Sequence, residues 1–127
     1  MDMKIFGASE KALQLCEDRA VTLSSNVVNA STPNYKARDF DFYQAMQSAN
    51  MAQYKLTQTN SKHLEPGNEI GGQQLKYRVP MQASLDGNTV DPDIERKNFI
   101  ENALRYQVNL TFVKNDSDQL VKAFKGE

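Results

Sequence analysis

Residues 91–126 read DPDIERKNFIENALRYQVNLTFVKNDSDQLVKAFKG, and this stretch decides the fold. Asp86-Gly87-Asn88, just upstream, is a turn cluster. Asp91 is a good N-cap. Pro92 suits the first helical position, where its missing N–H would have no intrahelical partner anyway. Asp93 and Glu95 put negative charge at the positive end of the helix dipole, and Gly126 supplies a stop. Phe99, Ala103, Tyr106, Leu110, Val113, Ser117, Leu120 and Phe124 advance by alternating steps of 4 and 3, the spacing of a heptad seam. The pattern predicts a helix over 92–125, roughly 50 Å long.

This helix has more apolar surface than one seam requires. Ile94, Ile100, Leu104, Val108 and Phe112 lie nearly opposite the seam at about 100° per residue. A helix apolar on two sides must be covered on two sides. Either the middle of the chain covers the second face in a three-helix bundle, or neighbouring subunits do. Periodicity alone leaves both open.

The first thirty residues repeat the device. Phe6, Ser9, Leu13, Cys16, Ala20, Leu23, Val27 and Ala30 step by 3 and 4 with one polar break at Ser9, which predicts a helix over 5–30. Pairing the two helices makes Leu13, Cys16, Ala20, Leu23 and Val27 the intrachain seam on one side. Phe99, Ala103, Tyr106, Leu110, Val113 and Leu120 form it on the other. The candidate intersubunit face is Ile94, Ile100, Leu104, Val108 and Phe112.

The middle is less regular. Ser31-Thr32-Pro33-Asn34-Tyr35 ends the first helix, because the residue before proline is pushed out of the helical region. Asn34 is one of the few non-glycine residues that accepts a positive φ. Residues 42–62, rich in Ala, Gln and Met, predict a third, shorter helix. Pro66-Gly67-Asn68 and Gly71-Gly72 mark a loop. Leu75-Lys76-Tyr77-Arg78-Val79 alternates like a short strand ended by Pro80. The expected fold is mainly α: a terminal coiled-coil core from 1–31 plus 92–127, and a middle segment 32–91 whose extended part runs over 73–91.

Composition narrows the function. The chain has 127 residues, of which 39% are hydrophobic, with a mean hydropathy of −0.64. An ordinary compact domain has about 45–50% apolar residues, so one large core is not expected. The net charge of −1 makes a poor nucleic-acid binder, since phosphate affinity rests on neutralising cations. The start has one positive charge, at Lys4, and lacks the apolar run of about 7–15 residues that a secretory signal needs. Nothing approaches the ~18 consecutive apolar residues of a membrane span. The expectation is a soluble chain that bypasses the general secretory route, so the N-x-S/T triplets at Asn29, Asn109 and Asn115 read as coincidences.

No catalytic constellation emerges. Cys16 and His63 are the only cysteine and histidine, which excludes an internal disulfide and multi-Cys or paired-His metal sites. Cys16 falls on the seam, where it acts as a small hydrophobe. His63 reads as a surface or capping residue. The glycines lack the G-K-[ST] of a phosphate loop. Asp91, Asp93 and Glu95 read as helix capping rather than a calcium loop, which would need a central glycine and a distal bidentate Glu. Neither a cofactor nor a metal is expected, and the pattern points to assembly rather than catalysis.

Residues 23–38, LSSNVVNASTPNYKAR, resemble the N-terminal signature of the bacterial flagellar axial proteins. The elements are an apolar residue, Asn26 and Asn29 three apart, Ala30, then Thr32-Pro33 and Tyr35, with Asn34 where glycine is usual. Lys36-Ala37-Arg38-Asp39-Phe40-Asp41-Phe42 is similar to the proximal rod subunits of that family. So are residues 85–91 followed by Glu95 and residues 102–107, and Thr59 followed by His63. The resemblance covers essentially the whole chain. It implies a structural subunit of the flagellar basal-body rod, the hollow shaft joining the membrane ring to the hook. It also implies self-assembly with other rod proteins, contact with the ring–rod junction, passage through the flagellar type III export apparatus, and terminal helices that order on assembly. The readings left beside it are a helical export adaptor or chaperone, and a small enzyme using His63.

Overall fold

The computed structural model of the chain describes residues 7–51, 69–70 and 73–126. The order of elements is α1 (Gly7–Val28), β1 (Arg38–Asp39), α2 (Phe42–Met51), β2 (Glu69–Ile70), β3 (Gln73–Gln74), β4 (Lys76–Tyr77) and α3 (Pro92–Lys125). The architecture is mainly α, with α1 and α3 packed along each other as an antiparallel pair.

The ends of α3 form as their chemistry dictates. Asp91 is extended (φ −106, ψ 110), and its carboxylate accepts from the N–H groups of Asp93 and Ile94 at 3.0 and 3.3 Å. Gly126 closes the helix in the left-handed region. Asp41 caps α2 in the same way, accepting from the N–H groups of Tyr43 and Gln44. The expected helix over 42–62 is described as far as Met51, and the rest of it, with Thr59 and His63, lies outside the described residues.

α1 is the central element. Leu15 packs with Phe40 and Ala45, and Phe42, Met46 and Leu75 close over them. This small core therefore lies between α1, residues 40–46 and Leu75, not between the two long helices alone. Two antiparallel ladders of two residues each complete the middle. β1 pairs with β4, Arg38 opposite Tyr77 and Asp39 opposite Lys76. β2 pairs with β3, Glu69 opposite Gln74. The strand expected over 75–79 is thus real but short, and over the rest of the expected extended region no strand follows Tyr77.

The packed faces of α1 and α3 differ from the heptad reading. On α1 the buried residues are Ala12, Leu15, Cys16, Arg19, Thr22, Leu23 and Asn26. Cys16 and Leu23 are in the expected seam, Leu13 and Ala20 are half-buried, and Val27 is exposed. On α3 the buried residues are Glu95 and Asn102. Tyr106, Val113 and Leu120 are half-buried, whereas Phe99, Ala103 and Leu110 are exposed. At 100° per residue, the line through Glu95, Asn102 and Asn109 lies about 60° round α3 from the heptad seam. Glu95 and Asn102 hold this register through buried hydrogen bonds to α1, with Asn102 Oδ1 left without a partner among the described residues, and a count of apolar periodicity does not register them.

Candidate functional site

Two features follow from that rotation: a buried polar clamp that holds the terminal helices to the middle segment, and apolar surface on α3 left uncovered.

The clamp begins at the signature residues. Asn26 is fully buried. Its Nδ2 donates to the Arg38 carbonyl at 2.7 Å and to Glu95 Oε2 at 3.2 Å. Its Oδ1 accepts from the Arg38 N–H at 3.1 Å and from the Tyr35 hydroxyl at 3.4 Å. One side chain on α1 therefore pins both strand β1 and helix α3. Asn29 works locally, donating to the Ser25 carbonyl and accepting from the Thr32 hydroxyl. Pro33 ends the turn, and Asn34 takes φ 61, as its residue type allows. The Asn34 N–H donates to the Asp86 carbonyl at 2.8 Å.

Asn88, which lies within a stretch that carried the resemblance, acquires a physical role. It is buried, and its Nδ2 lies 2.9 Å from each of the carbonyls of Asn29, Ala30 and Thr32. These carbonyls follow the last turn of α1, beyond its helical ladder; those of Asn29 and Thr32 also accept turn N–H groups from Thr32 and Tyr35, and Asn88 adds a donor common to all three. The 86–90 loop thus caps α1 from a distance of some sixty residues in sequence. Gly87 makes the approach possible: it takes φ +74, and a Cβ there would lie 2.5 Å from Asn34 Oδ1.

A chain of alternating charge runs beneath. The Arg19 guanidinium donates to both carboxylate oxygens of Asp39 at 3.0 Å. Arg78 donates to Asp39 Oδ2 at 3.2 Å and to Glu95 Oε1. Glu95 is fully buried. Two cations face two anions, so the buried set is neutral, and α1, β1, the end of β4 and α3 each supply a member. Burial works against the Arg19 charge, but the Asp39 hydrogen bonds and charge outweigh it and raise its pKa above the ordinary value. Burial also raises the Cys16 thiol. Asn102 Nδ2 donates to the Cys16 carbonyl at 2.8 Å, and Asn109 approaches the Cys16 sulfur at 3.8 Å. Sequence reading missed Arg19, Asp39, Arg78 and Asn88 as functional positions.

The second feature is surface. Ile100, Leu104, Val108 and Phe112 are more than half exposed, Leu104 at 65%, while Ile94 is half-buried. Phe99 and Leu110 are exposed on the other flank of α3. Both flanks of the polar contact line are therefore apolar and open. Among the described residues no group of His, Cys, Asp and Glu side chains could hold a metal ion. Among them, too, no helix is long and apolar enough to cross a membrane.

Comparison with known proteins agrees with this geometry. No protein-family model matches the chain. Curated relatives do. The flagellar basal body rod protein FlgB of Aeromonas hydrophila is 43% identical over 126 residues, covering 98% of this chain and 95% of that protein. The chain belongs to the FlgB family of flagellar basal body rod proteins. The FlgB of Cereibacter sphaeroides is 40% identical over 95% of this chain and 94% of its own length. The FlgB of Salmonella typhimurium is 38% identical over 92% and 90%. Matches of this extent take in α1, the clamp and α3 together. The role of a FlgB family member is structural, and its place is the flagellar basal body.

Proposed function

We propose that this chain polymerises, with itself and with other rod proteins, into the hollow proximal rod that joins the membrane ring to the hook and transmits torque. On this reading residues 1–31 and 92–127 are the assembly core, and 32–91 form the middle segment anchored to it by the clamp. The chain leaves the cytoplasm through the flagellar type III export apparatus. It acts in the periplasmic space of a Gram-negative cell and meets the ring–rod junction proteins there. The role calls for no catalytic group.

The observation that carries the reading is the uncovered strip Ile100, Leu104, Val108 and Phe112 on α3. Burying apolar surface contributes about 25 cal/mol per Å², and a subunit polymer supplies that burial. A heterologous contact that does not close generates a helical tube.

Leu104→Asp and Val108→Asp test it. Both positions face away from the clamp, so the isolated variants should keep the helix content and melting temperature of the parent. The charges should block incorporation into the rod and abolish motility. Normal motility with normal rods would remove the strip from the subunit interface. Unfolded monomers would show instead that the strip packs within the chain.

A further inference from the structure

Asp86-Gly87 is the one step in the sequence where Asp or Asn stands before glycine. Such a step carries its own chemistry. The glycine nitrogen, with no neighbouring Cβ to shield it, can attack the Cγ of the preceding carboxyl. The nitrogen gives up its proton, a C–N bond forms, and one carboxyl oxygen leaves as water. Solvent water then opens the five-membered imide. Opening at the side-chain carbonyl restores Asp. Opening at the main-chain carbonyl leaves isoaspartate, in which the chain runs through the former side chain and the backbone is one carbon longer.

The native turn holds every participant of this reaction. Asp86 Oδ1 accepts from the Ser84 hydroxyl and from the Asn88 N–H. These bonds tie the carboxylate to residues on either side, and the Ser84 bond first, then the Asn88 bond, lower its pKa. The ionised form resists attack. The Gly87 N–H donates to the Ser84 carbonyl at 3.1 Å, so the proton that must leave is engaged. The Asp86 carbonyl accepts from the Asn34 N–H at 2.8 Å, and the Gly87 carbonyl accepts from Lys36 Nζ. Ser84 and Asp86 are exposed, so water reaches them and these bonds are what restrain the step.

We propose that Asp86-Gly87 is a modification site gated by folding: the native turn keeps it as Asp, the unfolded chain converts it to isoaspartate, and the converted chain loses the cap on α1. The loop has no room for the product. Gly87 sits at φ +74, and even a Cβ there would lie 2.5 Å from Asn34 Oδ1. The next residue, Asn88, is buried with its amide 2.9 Å from three carbonyls beyond α1. One more backbone carbon at position 86 displaces Asn88 from them. The consequence is a time limit on the unfolded state. A chain that folds promptly keeps the 86–90 loop, and one that lingers unfolded carries a loop that no longer fits. The inference stands on this loop and does not depend on the rod reading.

The test uses the full chain, aged at neutral pH and one temperature in buffer and in urea. Isomerisation leaves the mass unchanged, so it is read by separating the two forms of the tryptic fragment 79–96. Isoaspartate at position 86 should form about tenfold faster in urea than in buffer, where the reaction waits on local opening of the turn. Gly87→Ala, aged in urea, should form several-fold less, whatever it does to the folded state. Ser84→Ala should react faster than the parent in buffer and at the parent's rate in urea, because the hydroxyl acts only in the native turn. After dilution from urea the isomerised fraction should melt below the fresh chain. Asp86→Glu aged alongside should regain its starting midpoint, since its longer side chain closes no five-membered ring. The proposal is overturned if buffer and urea give equal rates, or if Ser84→Ala in buffer matches the parent. It is overturned equally if the isomerised fraction melts like the fresh chain, or if Gly87→Ala reacts in urea as fast as the parent.

Discussion

Replacing Arg78 by Met separates the clamp from ordinary helix packing. Among the described residues, Arg78 is the one that pairs with both anions of the buried set, Asp39 and Glu95. Its side chain is 16% exposed, and that of Glu95 is 0% exposed. Without Arg78, Asp39 keeps its bidentate partner Arg19, but Glu95 is left with the Asn26 amide as its only side-chain hydrogen-bond donor among the described residues. Removing one partner of a buried pair costs about 3–5 kcal/mol, because the other charge stays behind without compensation. In a chain of this size a loss of ~3 kcal/mol lowers the melting temperature by about 10 °C. Arg96→Met is the control: its side chain is 74% exposed and 3.7 Å from Asp93, so a change within about 0.5 kcal/mol is expected. The double variant Arg78→Met/Glu95→Leu should recover much of the loss, since an apolar pair of similar volume replaces the charges. Thermal and urea melting by circular dichroism measures all of this. An Arg78→Met midpoint equal to that of Arg96→Met would refute the clamp.

Asn88→Ala removes the donor shared by three carbonyls after α1 and should cost about 1–3 kcal/mol in urea melts. Gly87→Ala combines a positive φ with a 2.5 Å approach to Asn34 Oδ1, so it should destabilise by more than the ~1 kcal/mol that a compatible Gly→Ala change gains. Cys16 should resist alkylation at pH 8 in the folded chain and react freely in urea. Because burial raises its pKa from the ordinary 9.0, its contribution to stability is complete below that value and declines as pH rises through and above it. A Cys16→Ala chain should show less of that alkaline loss.

What the sequence made legible was the set of elements. Both long helices, the Asp91 cap, the Gly126 stop and the left-handed Asn34 follow from local chemistry, which acts over a few residues and leaves its mark in order along the chain. The contact face was not legible in the same way. The heptad rule assigns the seam to whichever stripe is most apolar, and on α3 that stripe contains Phe99, Ala103 and Leu110. The burial of Glu95 and Asn102 instead depends on Asn26 and Cys16, some seventy and eighty-six residues away. Arg19 shows the same limit: it lies on the buried face of α1 because Asp39 meets it there, and nothing within one turn of Arg19 indicates this. The residues of the family signature were visible as a pattern. Their function as hydrogen-bond hubs required the partners Arg38, Glu95 and the 86–90 loop to be in place.

A polar contact line also bears on assembly. Hydrogen bonds and ion pairs are directional, so Asn26–Glu95 and Asn102–Cys16 specify one register between α1 and α3, whereas an apolar seam tolerates sliding and rotation. Had the chain closed on its heptad stripes, Phe99 and Leu110 would be buried within the subunit, and α3 would keep only the Leu104 strip for neighbours. Held by the clamp, α3 keeps both flanks. The intrachain pairing is secured by groups that would cost several kcal/mol to strand, and the apolar area stays available to other copies. The same division explains why 39% hydrophobic residues suffice for a chain whose apolar burial, on the proposed function, is completed between subunits. It also predicts where variants should act: changes in the clamp should appear first in the monomer, and changes on the two flanks of α3 only in the assembled rod.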